Sequence, residues 1–155
     1  MTKSFLTLTV LLLTIVAFCT ERETIRDAHG KVIGTATTDG NRTVYRDASG
    51  KVTGTATTNG NKTTYRDSSG RTTGTATENG NRTTFRDSSG KTTGTATTNG
   101  SRTTFREATG AAAGSSTSSG SRTTYRDSHG SIVGTSTGTG PSASPIPPIL
   151  NPNSN

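Results

Sequence analysis

Six carboxylates recur at a constant interval of twenty residues: Asp27, Asp47, Asp67, Asp87, Glu107 and Asp127. Converging carboxylates can divide general acid and general base work between them. Each of these, however, has an arginine immediately before it and a turn signal after it, so local solvation and turn support account for the series. His29 and His129 are the only histidines; a hundred residues separate them and no cysteine cluster accompanies them. Zinc wants several converging nitrogen or sulfur ligands, and each histidine occupies the place before a turn glycine that Ser49 and Thr109 fill elsewhere. Nucleophile-elbow, P-loop and dinucleotide patterns are absent from the sequence. The expectation is a protein that is not an enzyme and has no metal and no cofactor.

The basic residues form the more promising series. Arg26, Arg46, Arg66, Arg86, Arg106 and Arg126 share one spacing, and Arg42, Lys62, Arg82 and Arg102 keep step with them. With 17 basic residues against 10 acidic ones the net charge is +7, a field that favours anionic partners without choosing among them. The candidate ligand strip comprises Arg42, Arg46, Lys62, Arg66, Arg82, Arg86, Arg102 and Arg106. A solvated face that keeps an open sheet from pairing edge to edge would look the same.

These residues are positioned by a repeat. Only 25% of the chain is apolar and 5% aromatic, about half the apolar content of an ordinary globular domain. Residues 21–140 divide without insertion into six copies of a twenty-residue unit, the second being NRTVYRDASGKVTGTATTNG. A fixed short period marks an array in which each unit leans on its neighbours. Glycine falls at every tenth position from Gly30 to Gly140, and the stretches between are rich in threonine and in aromatic or β-branched residues. Asp39-Gly40, Asn59-Gly60, Asn79-Gly80 and Asn99-Gly100 are strong hairpin signals.

The spacing therefore predicts an all-β repetitive antiparallel meander of about twelve short strands. Folding about Asn59-Gly60 pairs Gly54 with Tyr65, and folding about Ser69-Gly70 pairs Tyr65 with Gly74, so each aromatic lies between two glycines. One face carries Tyr45, Tyr65, Phe85, Phe105 and Tyr125, free to pack or to assemble with another copy; the other carries the cations, with Arg42 across from Thr37. Nucleic acid is disfavoured as a partner because the aromatics cannot stack bases beside the cationic strip. Self-association or acidic extracellular polymers are the partners expected. The alternative topology is a β-solenoid with two strands per coil, which would stack Arg46 over Arg66 at about 4.8 Å.

The segment GNKTTYRDSSGRTTG resembles the YD repeats of wall-associated, Rhs-type and teneurin-like surface proteins through Tyr65, Asp67, Gly70 and Arg71, with Arg66 inserted between Tyr and Asp. The alternation of aromatic, Gly-Lys and a second glycine is similar to MORN repeats, and the solenoid alternative resembles curli-like fibres. What the resemblance implies is extracellular β-structure with a scaffold or adhesive role and no catalytic site. The recurring triplets Thr35-Ala36-Thr37 and Thr55-Ala56-Thr57 also resemble the Thr-x-Thr ladders of ice-binding solenoids, the alternative function. Asn41, Asn61 and Asn81 stand in N-x-T frames open to glycosylation in an exporting eukaryote.

The ends read differently. Lys3 followed by an apolar run over residues 5–18 predicts a signal peptide over residues 1–20 and hence a secreted or cell-surface protein. Val16-Ala17-Phe18-Cys19 resembles a bacterial lipobox, which would make the chain a lipoprotein held to the membrane through Cys19. The lone cysteine excludes an intrachain disulfide. Residues 141–155, PSASPIPPILNPNSN, are proline-rich and predict a disordered tail.

Overall fold

The computed structural model describes residues 20–138. The expected leader with Cys19 and the expected tail at 141–155 lie outside the described residues. Twelve antiparallel strands follow one another: β1 Glu21–Asp27, β2 Val32–Asp39, β3 Arg42–Asp47, β4 Val52–Asn59, β5 Lys62–Asp67, β6 Thr72–Asn79, β7 Arg82–Asp87, β8 Thr92–Asn99, β9 Arg102–Glu107, β10 Ala112–Ser119, β11 Arg122–Asp127 and β12 Ile132–Gly138. Each strand pairs with its sequence neighbours, and β1 pairs with β12. The sheet is a closed barrel, neither the open ribbon nor the solenoid.

Two kinds of turn alternate, one at each end of the barrel. After β5, the Gly70 N–H donates to the Asp67 carbonyl at 3.0 Å and the Asp67 N–H to the Arg71 carbonyl at 2.9 Å, with Gly70 at φ 85°. That is a type I turn followed by a left-handed glycine, the three-residue hairpin loop. At the other end the loop is shifted by one residue from the expected Asn-Gly centre. Asn59 faces Lys62, so the two loop residues are Gly60, at φ 60°, and Asn61. None of the described non-glycine residues has a positive φ. Glycine in the first loop position gives the II′ pattern and spares Asn59 a left-handed backbone, which costs an ordinary L-residue about 1–2 kcal/mol.

Moving a turn by one residue moves the pairing by two. Tyr65 accordingly faces Ala56 on one side and Gly74 on the other, in place of glycine on both. Across β2, Arg42 likewise faces Asp39 in place of Thr37. A shift of two preserves side-chain parity, so the two faces keep the residues expected of them.

Closure follows from a stagger that every repeat adds. Ile25 pairs with Gly34, while Ala36, two residues further along β2, pairs with Tyr45, the counterpart of Ile25 in the next unit. Six such steps accumulate a stagger of about twelve residues over twelve strands, which corresponds to a strand tilt of roughly 36° and a wall radius of about 11 Å. A register shift recurs at Tyr45/Arg46, Tyr65/Arg66 and Phe85/Arg86. Such bulges bend the strand and increase its twist, the curvature a barrel needs.

The aromatic face is therefore the lining. Tyr65, Phe85, Phe105 and Tyr125 are buried with Ala36, Ala56, Ala76 and Ala96, and Tyr45 packs against the cluster. The expected assembly face is enclosed: closing the sheet covers the rings with one another and removes both free edges, so this row offers nothing to a second copy. In the fifth repeat, Ala113 joins the core.

Candidate functional site

The outer wall carries the cations. Arg42 and Arg46 are exposed, and the strands that follow repeat the arrangement with Lys62 and Arg66, Arg82 and Arg86, Arg102 and Arg106. Because the sheet closes, the expected strip becomes two belts. Arg22, Arg42, Lys62, Arg82, Arg102 and Arg122 encircle the end with the two-residue loops; Arg26, Arg46, Arg66, Arg86, Arg106 and Arg126 encircle the other. Equivalent cations stand two strands apart, about 10 Å, which exceeds the screening length of roughly 8 Å at physiological salt. Mutual repulsion within a belt is correspondingly weak.

The second belt has a structural task. Arg66 Nη1 donates to the Gly70 carbonyl at 2.8 Å, and Arg46, Arg86 and Arg106 do the same to Gly50, Gly90 and Gly110 at 2.9 Å each. Each clasps the hairpin loop of its own repeat. The first belt is the one whose guanidinium and ammonium groups project without such a loop to hold.

The acidic series serves the same loops. Asp67 Oδ1 accepts from the Ser69 N–H at 2.9 Å, the Ser69 hydroxyl at 2.6 Å and the Arg71 N–H at 2.9 Å. The Ser69 hydroxyl is the leading influence holding the Asp67 carboxyl below its ordinary value, with the Arg71 N–H next; Asp47 and Asp87 are lowered in the same way by Ser49 and Ser89. A carboxylate occupied by three donors of its own turn is a poor general base. His29 and His129 donate their backbone N–H groups to Asp27 and Asp127 in equivalent turns. Closure makes those turns neighbours, a proximity that their separation in sequence conceals. Among the described residues no group of three or more His, Cys, Asp or Glu could hold a metal ion.

The inside has a chemistry that sequence reasoning missed. Beyond the aromatic layer, toward the two-residue loops, the lining consists of small hydroxyl residues, and Thr58 and Thr63 join their hydroxyls across neighbouring strands at 2.9 Å. The same link joins Thr38 to Thr43, Thr98 to Thr103 and Ser118 to Thr123. Among the described residues side chains this short leave space at the mouth, and a cavity of about 280 Å³ lies there, lined by Phe105 and Tyr125 among others. Glu23 and Glu78 occupy two of the positions that hold hydroxyl residues in other repeats. The signal was available: both break the repeat's own pattern.

The outer face of the wall is set mainly with cations and threonines. Strands of six to eight residues fall short of the about 9–11 that a membrane-spanning strand needs, and outward arginines oppose the apolar band such a wall requires. Among the described residues no helix is long and apolar enough to cross a membrane. Thr55 and Thr57 also point outward, on a convex wall with Arg42 opposite Thr57. No protein-family model matches the chain, and no curated protein matches it.

Proposed function

We propose that this chain is a secreted or surface-associated repeat protein without catalytic activity, whose cationic outer wall holds it to acidic extracellular polymers. The observation that carries the reading is the first belt: six cations on successive odd-numbered strands, all outward, around one end of a barrel whose aromatic rings are turned inside. A flexible polyanion laid against any flank meets the same charges, so binding needs no single orientation. Self-association through the aromatic row is given up, because that row lines the interior. Ice binding, the other function anticipated, loses support: it needs a flat array of threonines, and a curved wall set with long cations does not supply one.

The test is retention of the purified barrel on immobilised polygalacturonate over a salt gradient. Affinity is expected to fall steadily with added salt. Replacing Arg42, Lys62, Arg82 and Arg102 with glutamine should release the protein at much lower salt, whereas glutamine at Arg46, Arg66, Arg86 and Arg106 should act mainly on stability. Retention indifferent to salt and to the first set of changes would remove the reading.

A further inference from the structure

The two belts leave the interior of the mouth with charge of the opposite sign. On β1, Glu21 faces Thr38 and Glu23 faces Ala36, and on β6, Glu78 faces Thr83. Thr38 and Ala36 belong to the lining, so all three acids stand on the inner surface at the end with the two-residue loops. The described lysines and arginines lie on the outer face of the strands or at the three-residue turns of the opposite end. A molecule of net charge +7 thus has an acidic cup.

Two of these acids, Glu23 and Glu78, depart from the hydroxyl pattern of the repeat. Where Glu23 stands, the other five units have Thr43, Thr63, Thr83, Thr103 and Thr123; where Glu78 stands, three of the others have threonine and one serine. The hydroxyl pairs that tie neighbouring strands at Thr58 and Thr63 and at Thr98 and Thr103 are replaced between them by Glu78 beside Thr83. At Glu23 a copied threonine would have been the cheaper residue, since a carboxylate taken from water loses hydration that a hydroxyl does not, and at Glu78 the exposed acid gives up the hydroxyl pair that its neighbours keep. Departures of this kind, costly and without structural gain, are where function is to be sought.

Glu23 also ends unsatisfied. Its Oε2 is buried without a hydrogen-bond partner, alone in this among the buried side-chain nitrogens and oxygens of the described residues. The Ser136 hydroxyl bonds the carboxylate, and Tyr125 hydroxyl and Ser136 Oγ approach to 3.4 Å, so the acid is linked to the ring that floors the cavity. Glu78 lines the same cavity and its charge is felt by Tyr65.

We propose that the mouth of the barrel is a binding site for a small organic cation, a primary amine or quaternary ammonium, received over Phe105 and Tyr125 and balanced by Glu78 in the cavity wall, with Glu23 behind Tyr125 through Ser136. An aromatic floor attracts a cation through its ring quadrupole, most strongly where water is excluded, and neighbouring carboxylates supply the opposite charge. A hydroxyl wall takes the ligand's remaining N–H or O–H groups. A cavity of about 280 Å³ suits a ligand of several heavy atoms, at the small end of the range for such sites.

The experiment is a calorimetric and NMR titration of the barrel at low ionic strength with choline and with putrescine, beside the uncharged choline isostere 3,3-dimethylbutan-1-ol and glucose. Saturable binding is expected for at least one cation, with shifts at Phe105 and Tyr125, and none for the neutral compounds. Glu78→Thr, which restores the repeat's own residue, should weaken cation binding about tenfold while leaving the barrel folded, and Glu23→Gln, which keeps the shape and acts from behind Tyr125, should weaken it by a smaller factor. Polygalacturonate retention serves as the control that the outer wall is intact in both variants. The proposal is overturned if neither cation saturates the wild-type protein, if the isostere binds as well as choline, or if both variants bind the cations unchanged.

Discussion

Ser136 of the last strand stands directly opposite Ile25 of the first, on the same rung at which Ala36 stands opposite Tyr45. The neighbouring rungs agree, with Arg26 facing Thr135 as Arg46 faces Thr35. To the sheet, β1 is the strand that a seventh repeat would have supplied. Closure therefore uses the same pairing as every internal hairpin, and the seam between β1 and β12 differs only in lacking a loop. A barrel closed by equivalent rungs has no edge for another chain to extend.

A circular permutant should fold to the same barrel. Joining residue 140 directly to Glu21 reproduces the spacing of Gly40-Asn41, and new termini between Gly80 and Asn81 open a loop of the same type. The expected product is a monomer with unchanged circular dichroism and a Tm within a few degrees of the parent. Aggregation of the permutant would mean that the seam is special and that the repeats are not interchangeable at closure.

Two glycines with different tasks should respond differently to alanine. At Gly54 a Cβ would come to 2.5 Å from the Arg66 carbonyl oxygen, so β4 and β5 would have to separate. The cost of such overpacking is about 2–3 kcal/mol. At Gly60 the added atom meets nothing within 4 Å, and the cost is only that of a left-handed φ of 60°, about 1–2 kcal/mol. Urea denaturation should rank Gly54→Ala below Gly60→Ala in midpoint; the reverse order would show that loop conformation, and not close strand approach, limits the sheet.

Stability should fall at both extremes of pH, for opposite reasons. Asp47, Asp67 and Asp87 have carboxyls lowered from 3.8 in the folded turn, so the stability they add is present above that value and is lost as pH falls through the folded one. Burial pushes the Tyr65 phenol up to about 12, aided by the charge of Glu78, and burial raises Tyr45 as well. Above pH 10 the unfolded chain releases phenolic protons that the barrel retains, so the balance shifts toward unfolding as pH rises. Melting curves should show Ser69→Ala weakening the acid-side dependence, and absorbance titration should find Tyr65 and Tyr45 ionising later than a free tyrosine. A phenolate signal complete near pH 10 in the folded protein would contradict the closed, aromatic-lined interior.

Burial works on Glu23 in the other direction from the turn aspartates. It raises the carboxyl above 4.5 despite the hydrogen bond from Ser136, so this residue withdraws stability as pH rises through the window above that value. Glu23→Gln should accordingly raise Tm at neutral pH and leave it nearly unchanged near pH 4. Equal shifts at both pH values would show that Glu23 is hydrated in the folded protein.

The strands, their antiparallel order and their two faces are legible in the sequence because they follow from local rules. Alternation along a strand has a period of two, and glycine every ten residues leaves only short extended segments between turns. The roles of Asp67 and Arg66 are legible for the same reason, since both act on the turn beside them. What the local pattern does not contain is the sum of small steps. An Asn-Gly pair permits a loop centred on either side of the glycine, and that choice decides whether Tyr65 meets Gly54 or Ala56 across β4. A stagger of two residues per repeat is invisible in one hairpin, yet over six it brings Ile25 beside Ser136 and turns an exposed aromatic row into a core. The acidic mouth depends on closure too: Glu23 and Glu78 stand on strands far apart in the chain, and only a sheet that returns to its first strand places both on the inside of one rim.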